Sequence, residues 1–278
     1  MNESMNLVGY QQGNSFVHAL SGASKLLFFV FISIASMVTF DTRFLIGIAL
    51  LSLFLFKAAG FRFRQVGFVI GLAAFFGSLN LLMIYLFSPQ YGTELYGTQR
   101  ILLGSGTYAL TLEELFYLFN VLLKYICTIP LALLFLLSTD PSQFASSLNQ
   151  LGVPYKVAYS VSLTLRYIPD LQEEFFMIRK SQEARGLDLS QKAGLSQRLK
   201  GNIQIVTPLI LSSLDRIESI ATAMELRRFG KLKTRTWFRY QPLKKLDWLV
   251  IITAICIVAL SLALLVVNKG RFYNPFLG

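Results

Sequence analysis

Residues 248–267 read WLVIITAICIVALSLALLVV, twenty consecutive positions without a charged side chain. A bilayer has a hydrocarbon core about 30 Å thick, and a helix of about 20 apolar residues crosses it. This stretch is therefore typical of a membrane-spanning helix. The whole chain of 278 residues is 54% hydrophobic and 15% charged, with a mean hydropathy of +0.55, which is too apolar for soluble domains. The sequence predicts an all-α membrane protein.

Working outward from this stretch, four more apolar runs are candidate spans, and the first two of them are short and are expected to tilt little or to extend by a turn. The fourth of the five carries Lys124 and Pro130, and Lys124 either faces a neighbouring helix or extends toward the membrane surface. The predicted spans are Leu26–Phe40, Phe44–Ala59, Val66–Phe87, Leu112–Ser138 and Trp248–Val267.

The distribution of charge predicts how the chain is oriented in the membrane. Lys and Arg total 26 against 15 acidic residues, a net charge of +11, and residues 140–246 hold 17 Lys and Arg against 9 Asp and Glu. Loops rich in Lys and Arg stay in the cytoplasm. Residues 140–246 and the N-terminus are therefore predicted on the cytoplasmic side of the cell membrane, and the C-terminus on the outer side. Lys57, Arg62 and Arg64, between the second and third spans, agree with this orientation.

The chain thus divides into three predicted segments. Residues 1–139 form a membrane domain with spans one to four, residues 140–246 a cytoplasmic helical segment, and residues 247–278 the final span and a tail.

The cytoplasmic segment predicts three helices. Pro141 is typical of a first helical position, and this short helix ends near Gly152. Two amphipathic helices follow, from about Tyr155 to Arg185 and from about Leu195 to Arg227, each with an apolar stripe at three- and four-residue spacing. The stripe of the first helix is Tyr159, Leu163, Tyr167, Leu171, Phe175 and Ile178, and that of the second is Leu195, Leu199, Ile203, Val206, Ile210, Leu214, Ile217, Ile220 and Met224. Helices of this length extend about 45–50 Å. Proline inside a helix removes a backbone hydrogen bond, so each is expected to bend, at Pro169 and at Pro208.

Enzyme and cofactor chemistry finds little support. The single histidine, His18, has no HExxH or Ser/His/Asp context, and Cys127 and Cys256 lie in apolar runs without metal-ligand spacing. The sequence predicts a non-catalytic chain that binds no cofactor and no metal. No GxxxxGK[ST] occurs, so any ATP must be bound by another subunit. The basic residues of 227–239 adjoin a span, which favours lipid over nucleic acid as their partner.

The two long helices end in similar sequences. Glu183-Ala184-Arg185-Gly186 closes the first, and Glu225-Leu226-Arg227-Arg228 closes the second. Ordinary helix capping explains a cation and a glycine at such ends. A shared functional role is the alternative.

Several motifs together resemble a known family, the transmembrane coupling (T) component of energy-coupling factor transporters, which are ABC-type importers of vitamins and transition metals. The strongest similarities lie in the cytoplasmic segment and a weaker one lies near the N-terminus. They are LGVPYK at 151–156, LRYIPDL at 165–171, QEARG at 182–186, AMELRRFG at 223–230 and GNSFVH at 13–18.

The resemblance implies a role for the two helix ends. In that family an X-Arg-X triplet at each end docks into one of two cytoplasmic P-loop ATPase subunits, which bind ATP and Mg. The matching triplets are Ala184-Arg185-Gly186 and Leu226-Arg227-Arg228, and Arg228 stands where glycine is common. The resemblance also implies a small substrate-binding membrane subunit as a further partner.

Two other functional classes stay open. A stand-alone secondary transporter or channel needs ionisable or polar residues in several spans, and here Lys124, Asn80 and Asn120 are the main candidates. A membrane scaffold without transport would use the same helices only as docking surfaces.

Overall fold

The structure of the chain is a computed structural model. In the described residues the structure is almost entirely helical and carries long apolar helices, which confirms an all-α membrane protein. Several basic residues on which the predicted orientation depends lie outside the described residues, namely Arg62, Arg64, Lys233, Arg235 and Arg239. The structure describes residues 13, 15–61, 66–104, 106, 108–187, 194–232, 236–237, 240–268 and 270–276.

The chain folds as two compact units. The described residues up to Asp140, with those from Gln241 onward, form the first unit, and Pro141–Tyr240 form the second. The first unit contains α1 (Phe16–Ala19), α2 (Gly22–Val38), α3 (Thr42–Ala58), α4 (Gly67–Phe87), α5 (Tyr91–Tyr96), β1 (Ile101–Leu103), β2 (Leu110–Thr111), α6 (Leu112–Ser138) and α10 (Lys245–Val267). The second contains α7 (Pro141–Gln150), α8 (Tyr155–Ala184) and α9 (Leu195–Leu226).

All five predicted spans fall on helices of the first unit. Among the described residues, α4, α6 and α10 are long and apolar enough to cross a membrane, with 21, 27 and 23 residues. Helices α2 and α3 have 17 residues each, which is at the lower limit for a span of about 17–25 residues. Three of the five predicted spans are therefore clearly long and apolar enough to cross a membrane, and the other two, α2 and α3, are at the lower limit of length.

Helix α6 lies at the centre of the first unit and packs on α2, α3 and α4. Its first turn is capped by Thr111, whose hydroxyl accepts a hydrogen bond from the Glu114 N–H at 3.3 Å. Its inner face carries Leu123, Cys127 and Leu131, which belong to a buried apolar cluster with α2 and α3. The α6 side chains thus hold the span helices together.

A buried carboxylate joins the starts of α2 and α10. Asp247 accepts hydrogen bonds from the N–H groups of Ser21 and Lys244, both at 2.8 Å, and from the Ser24 hydroxyl at 2.6 Å. Since Asp247 is 1% exposed, these donors replace the water that would otherwise solvate its charge. The two helices pack along each other from this point.

Residues 270–276, which we call the C-terminal strap, fold back onto the opposite end of the unit. The Phe40 N–H donates to the Arg271 carbonyl at 2.8 Å, and the Phe40 and Phe272 rings stack at 4.6 Å. Asn268, just before the strap, donates to Asp41 at 2.8 Å. The apolar pattern did not predict this strap, nor α5 and the antiparallel pair of β1 and β2 in the third connection.

The second unit confirms the three predicted cytoplasmic-segment helices and their boundaries to within about a residue or two. Helix α7 begins at Pro141 and ends in a left-handed turn at Gly152, with φ +96°. The division of the chain into membrane and cytoplasmic segments stays a prediction.

Candidate coupling site

Helix α8 ends in a Schellman cap at the first predicted triplet. The Gly186 N–H donates to the Glu183 carbonyl at 3.0 Å, and the Leu187 N–H donates to the Gln182 carbonyl at 3.1 Å. Gly186 has φ +90°, a left-handed conformation in which a glycine avoids the strain of a Cβ. The sequence EARG therefore stops the helix at a defined residue.

Helix α9 ends in the same cap at the second triplet. The Arg228 N–H donates to the Glu225 carbonyl at 2.8 Å, and the Phe229 N–H donates to the Met224 carbonyl at 2.9 Å. Arg228 has φ +53° and is, among the described residues, the single non-glycine with positive φ. Arg228 thus occupies the backbone position that Gly186 holds in the first triplet.

Arg185 and Arg227 occupy equivalent C-cap positions. Their backbone angles are φ −85°, ψ 7° and φ −83°, ψ 10°. Both residues are exposed, as are Ala184 and Gly186, and Leu226 is 81% exposed. Capping alone is achieved here by backbone hydrogen bonds, and an arginine side chain is not required for it.

The end of α9 is anchored on the beginning of α8. The Phe229 ring lies 4.8 Å from that of Tyr159 and 5.7 Å from that of Tyr155. Trp237 packs on Tyr155 at 5.4 Å and donates its indole N–H to the Asn149 side chain at 3.1 Å. This aromatic cluster fixes the second triplet against the start of α8.

Gly230 also contributes to this anchor. Its φ is +84°, and a Cβ added there would lie 2.8 Å from Cε of Lys156. A side chain at position 230 would therefore strain the backbone and displace the lysine.

The first triplet lies at the other end of the second unit. Arg185 borders an open depression of about 620 Å³ between the end of α8 and the first half of α9. Its remaining lining residues are Gln182, Gly186, Leu187, Ile203, Gln204, Thr207 and Pro208. Because Phe229, two residues after Arg227, packs on Tyr159 and a helix rises 1.5 Å per residue, α8 separates the two arginine-bearing ends by about 40 Å along its axis.

Helices α8 and α9 are joined between these ends by a polar contact. Glu174 accepts hydrogen bonds from Arg216, at 2.8 Å, and from the Ser212 hydroxyl. The side chain of Glu174 is 17% exposed and that of Arg216 is 36% exposed. The predicted apolar stripes did not reveal this pair, although acidic Glu174 interrupts the apolar face of α8.

The apolar stripes of α8 and α9 meet only in part. Leu163, Tyr167 and Leu171 of α8 line a groove of about 450 Å³ with Ile217 and Ile220 of α9. Much of the predicted α9 stripe is exposed. Its exposed members include Leu199, Ile203, Val206, Ile210, Leu214 and Ile217.

Pro169 and Pro208 both lie inside continuous helices. Proline has no N–H, so the Leu165 and Gln204 carbonyls lose their usual intrahelical donors. Pro208 lines the same depression as Arg185. The bend at each proline stays a prediction.

Other polar residues considered from the sequence lie elsewhere. Lys124 donates to the Met37 carbonyl at 2.8 Å and sits 3.2 Å from the centre of the Phe40 ring, so it faces a neighbouring helix. In the part of the chain that the structure describes, no group of three His, Cys, Asp or Glu residues could hold a metal ion. Cys127 and Cys256 are both free thiols.

Comparison with known proteins gives one family and a consistent set of relatives. The family of the cobalt transport protein CbiQ matches residues 13–238. The energy-coupling factor transporter transmembrane protein EcfT of Exiguobacterium sibiricum is 30% identical, with 94% of this chain and 97% of the relative aligned. The protein of the same name from Bacillus subtilis is 28% identical, with 94% of this chain and 98% of the relative aligned. The one from Streptococcus thermophilus is 27% identical, with 83% of this chain and 87% of the relative aligned.

Proposed function

This chain belongs to the family of the cobalt transport protein CbiQ, and from that premise we propose that it is the transmembrane coupling subunit of an energy-coupling factor importer. It passes the ATP-driven motion of two cytoplasmic P-loop ATPase subunits to a separate substrate-binding membrane subunit. The imported solute is a vitamin or a metal ion. The chain itself performs no catalysis and binds no cofactor, since ATP and Mg belong to the ATPases.

The paired helix ends carry this proposal. Arg185 and Arg227 occupy the same cap position, are exposed, and lie about 40 Å apart along α8. Two equivalent cationic ends at this separation suit two copies of a similar docking groove, one on each ATPase. A purely local capping role would not require the two ends to share a sequence.

Arginine suits such a contact chemically. Its guanidinium is a planar fork that binds a carboxylate through two parallel hydrogen bonds, whereas a lysine ammonium acts as a point charge. The Schellman caps fix the backbone behind each arginine, so little motion is lost between the docked side chain and its helix. Ala184, Gly186, Leu226 and Arg228 are proposed to complete the contact with the ATPases.

Helices α8 and α9 are proposed to transmit the motion of the ATPases to the substrate-binding subunit. Glu174 and Arg216 connect α8 to α9 between the two docked ends, so displacement of one end acts on both helices. The exposed apolar face of α9 is the proposed contact for the substrate-binding subunit. The second unit and the N-terminus are proposed to lie on the cytoplasmic side of the cell membrane.

The first test is to identify the partners. The tagged chain is purified from its native host in mild detergent, and the accompanying proteins are identified by mass spectrometry. Two P-loop ATPases with a small hydrophobic subunit are expected. A chain that purifies alone and moves solute without ATP would instead be a self-sufficient transporter.

The second test addresses the two arginines. The double variant Arg185→Ala/Arg227→Ala is reconstituted in vesicles with the co-purified subunits, and ATP-dependent uptake of the solute bound by the membrane subunit is measured. Uptake is expected to disappear while the chain still inserts and keeps its substrate-binding partner. Lys180→Ala/Lys231→Ala removes two exposed positive charges nearby and serves as the matched control. Full uptake by the arginine variant would refute the coupling role.

A further inference from the structure

The chain passes between the two compact units twice. It leaves the first unit after Asp140 and returns to it at Gln241. The outgoing connection follows Ser138, the last residue of α6, and two residues separate Ser138 from the start of α7. The returning connection ends at Lys244, the N-cap of α10. These connections are covalent routes between the units, so the contacts that hold their ends determine how motion passes along them.

The first turn of α2 holds the end of the outgoing connection. The Lys25 Nζ donates to the Ser138 carbonyl at 2.8 Å, and Lys25 is 4% exposed. The last four carbonyls of a helix have no intrahelical donor, so Lys25 supplies one of the missing donors at the end of α6. Its positive charge also complements the negative end of the helix dipole. This contact joins α6 to α2 at the point where the chain leaves the unit.

The start of α2 also holds the end of the returning connection. Asp247 of α10 accepts hydrogen bonds from the Ser21 N–H at 2.8 Å and from the Ser24 hydroxyl at 2.6 Å. It also accepts a hydrogen bond from the N–H of Lys244, the residue at which the connection ends, at 2.8 Å. The buried carboxylate therefore joins the returning chain to α2 as well as to α10.

The two contacts meet at one place. Ser21 is the N-cap of α2, and Ser24 and Lys25 lie in its first turn. The Lys25 and Asp247 charges also attract each other. Both residues are almost fully buried, so water weakens this attraction less than it would at the surface. We call Ser21, Ser24, Lys25 and Asp247 the junction anchor.

We propose that the junction anchor makes α2, α6 and α10 move together when the second unit moves, so that Lys25 and Asp247 are positioning residues for coupling. The proposal rests on the coupling function proposed above. Displacement of the second unit displaces both connections, and the anchor makes this a joint displacement of three helices. Without the anchor, the end of α6 and the start of α10 move separately, and ATP is hydrolysed without transport.

Asp41 offers a matched control at the other end of the first unit. It is 1% exposed, as Asp247 is, and it accepts hydrogen bonds from the Arg43 N–H at 3.0 Å and from Asn268 at 2.8 Å. Asp41 therefore joins the start of α3 to the end of α10, and neither of these partners belongs to a connection with the second unit. Its loss should lower stability without altering coupling.

The experiment compares ATP hydrolysis with solute uptake in the same vesicles. The full-length chain is reconstituted with its accompanying ATPase and membrane subunits, and the uptake per ATP hydrolysed is measured. Lys25→Met removes the charge and the hydrogen-bond donor but keeps most of the side-chain length. We expect this variant to assemble and hydrolyse ATP, with an uptake per ATP hydrolysed about tenfold lower, which is the scale of one charge-assisted hydrogen bond.

Two further variants separate coupling from stability. Asp41→Asn is expected to unfold at a lower temperature and to keep the uptake per ATP hydrolysed of the original chain. A purely structural role of Lys25 would likewise lower hydrolysis and uptake together and leave their ratio unchanged. Ser24→Ala removes one hydrogen bond to Asp247 and keeps both charges, so it serves if Lys25→Met does not assemble. It is expected to lower the ratio about threefold.

An unchanged ratio in Lys25→Met, or in Ser24→Ala if only that variant assembles, would overturn this proposal. An equal fall in Asp41→Asn would also overturn it, because any weakening of the first unit would then uncouple transport. Both outcomes leave the proposed function standing. Absence of ATP-driven uptake by the original complex would instead overturn the proposed function and this proposal together.

Discussion

Arg216 of α9 lies 2.8 Å from Glu174 of α8, and this ion pair joins the two longest helices between their arginine-bearing ends. Ser212 donates to the same carboxylate, so Glu174 receives hydrogen bonds from two positions one turn apart on α9. The contact fixes the register of α9 against α8. With the aromatic cluster at the end of α9, it is one of two described contacts through which the proposed motion would pass between the helices.

The variant Glu174→Ala is expected to weaken the crossing of α8 and α9. The pair is partly buried, and Arg216 is screened by solvent, so its loss should cost about 1–2 kcal/mol of stability. Uptake should fall, because the helices no longer move together. Thermal unfolding and ATP-dependent uptake are measured beside Glu173→Ala, which removes an exposed acid next in sequence.

Charge reversal tests whether the ion pair itself matters. The double variant Glu174→Arg/Arg216→Glu is expected to recover part of the uptake lost by either single reversal. Uptake at the level of the single variants would show that the helices are held by other contacts.

Arg228→Gly tests the left-handed cap at the end of α9. A non-glycine residue in this conformation is strained by about 1–2 kcal/mol, which a glycine would relieve. Glycine also has more backbone freedom in the unfolded chain, and this offsets about half of the stability gained by relieving the strain. The variant should therefore be more stable than the original chain by at most about 1 kcal/mol. Thermal unfolding measures this change, and Gly186→Ala, which introduces strain at the equivalent position, should be destabilised.

Uptake by Arg228→Gly also distinguishes the two arginines of the second triplet. We expect uptake to be retained, because Arg227 occupies the position equivalent to Arg185. Strong loss of uptake with an intact cap would place the main contact on Arg228 instead.

Arg185→Lys tests the need for a guanidinium fork. Charge is kept, but paired hydrogen bonds to one carboxylate are lost, and a charge-assisted bond contributes about 1.5–3 kcal/mol. Uptake is expected to fall about tenfold or more. Lys180→Arg, the opposite exchange at an exposed position of α8, should leave uptake unchanged. Equal uptake by Arg185→Lys and the original chain would mean that positive charge alone suffices.

Asp247→Asn tests the buried link between α2 and α10. The carboxylate accepts three hydrogen bonds, two of them from backbone N–H groups. The asparagine amide keeps one acceptor oxygen but points its NH₂ group at one of these donors. We therefore expect the free energy of unfolding to fall by about 2–3 kcal/mol. Ser24→Ala removes one of these bonds and should lose about 1 kcal/mol. Thermal unfolding in detergent compares the two variants. If Asp247→Asn is destabilised no more than Ser24→Ala, Asp247 is not the main link between α2 and α10.

The amino-acid sequence alone was sufficient for the five span helices and for α7, α8 and α9, but not for the short helices α1 and α5. Residues close together in the sequence determine where these helices begin and end. Examples are the continuous apolar run of α10, the proline at the start of α7, and the glycine in the left-handed position after α8. The similar sequences at the ends of α8 and α9 were visible for the same reason, whereas the role of the two arginine triplets was implied by the family resemblance.

Only the tertiary structure decided which distant residues meet. Ser21 and Asp247 are 226 positions apart, and the strap brings Phe272 back to Phe40. Glu174 and Arg216 each fit an exposed helix surface when taken singly. Helix periodicity specifies which face is apolar, but the rotation and register of one helix on another depend on the packing of all their side chains together.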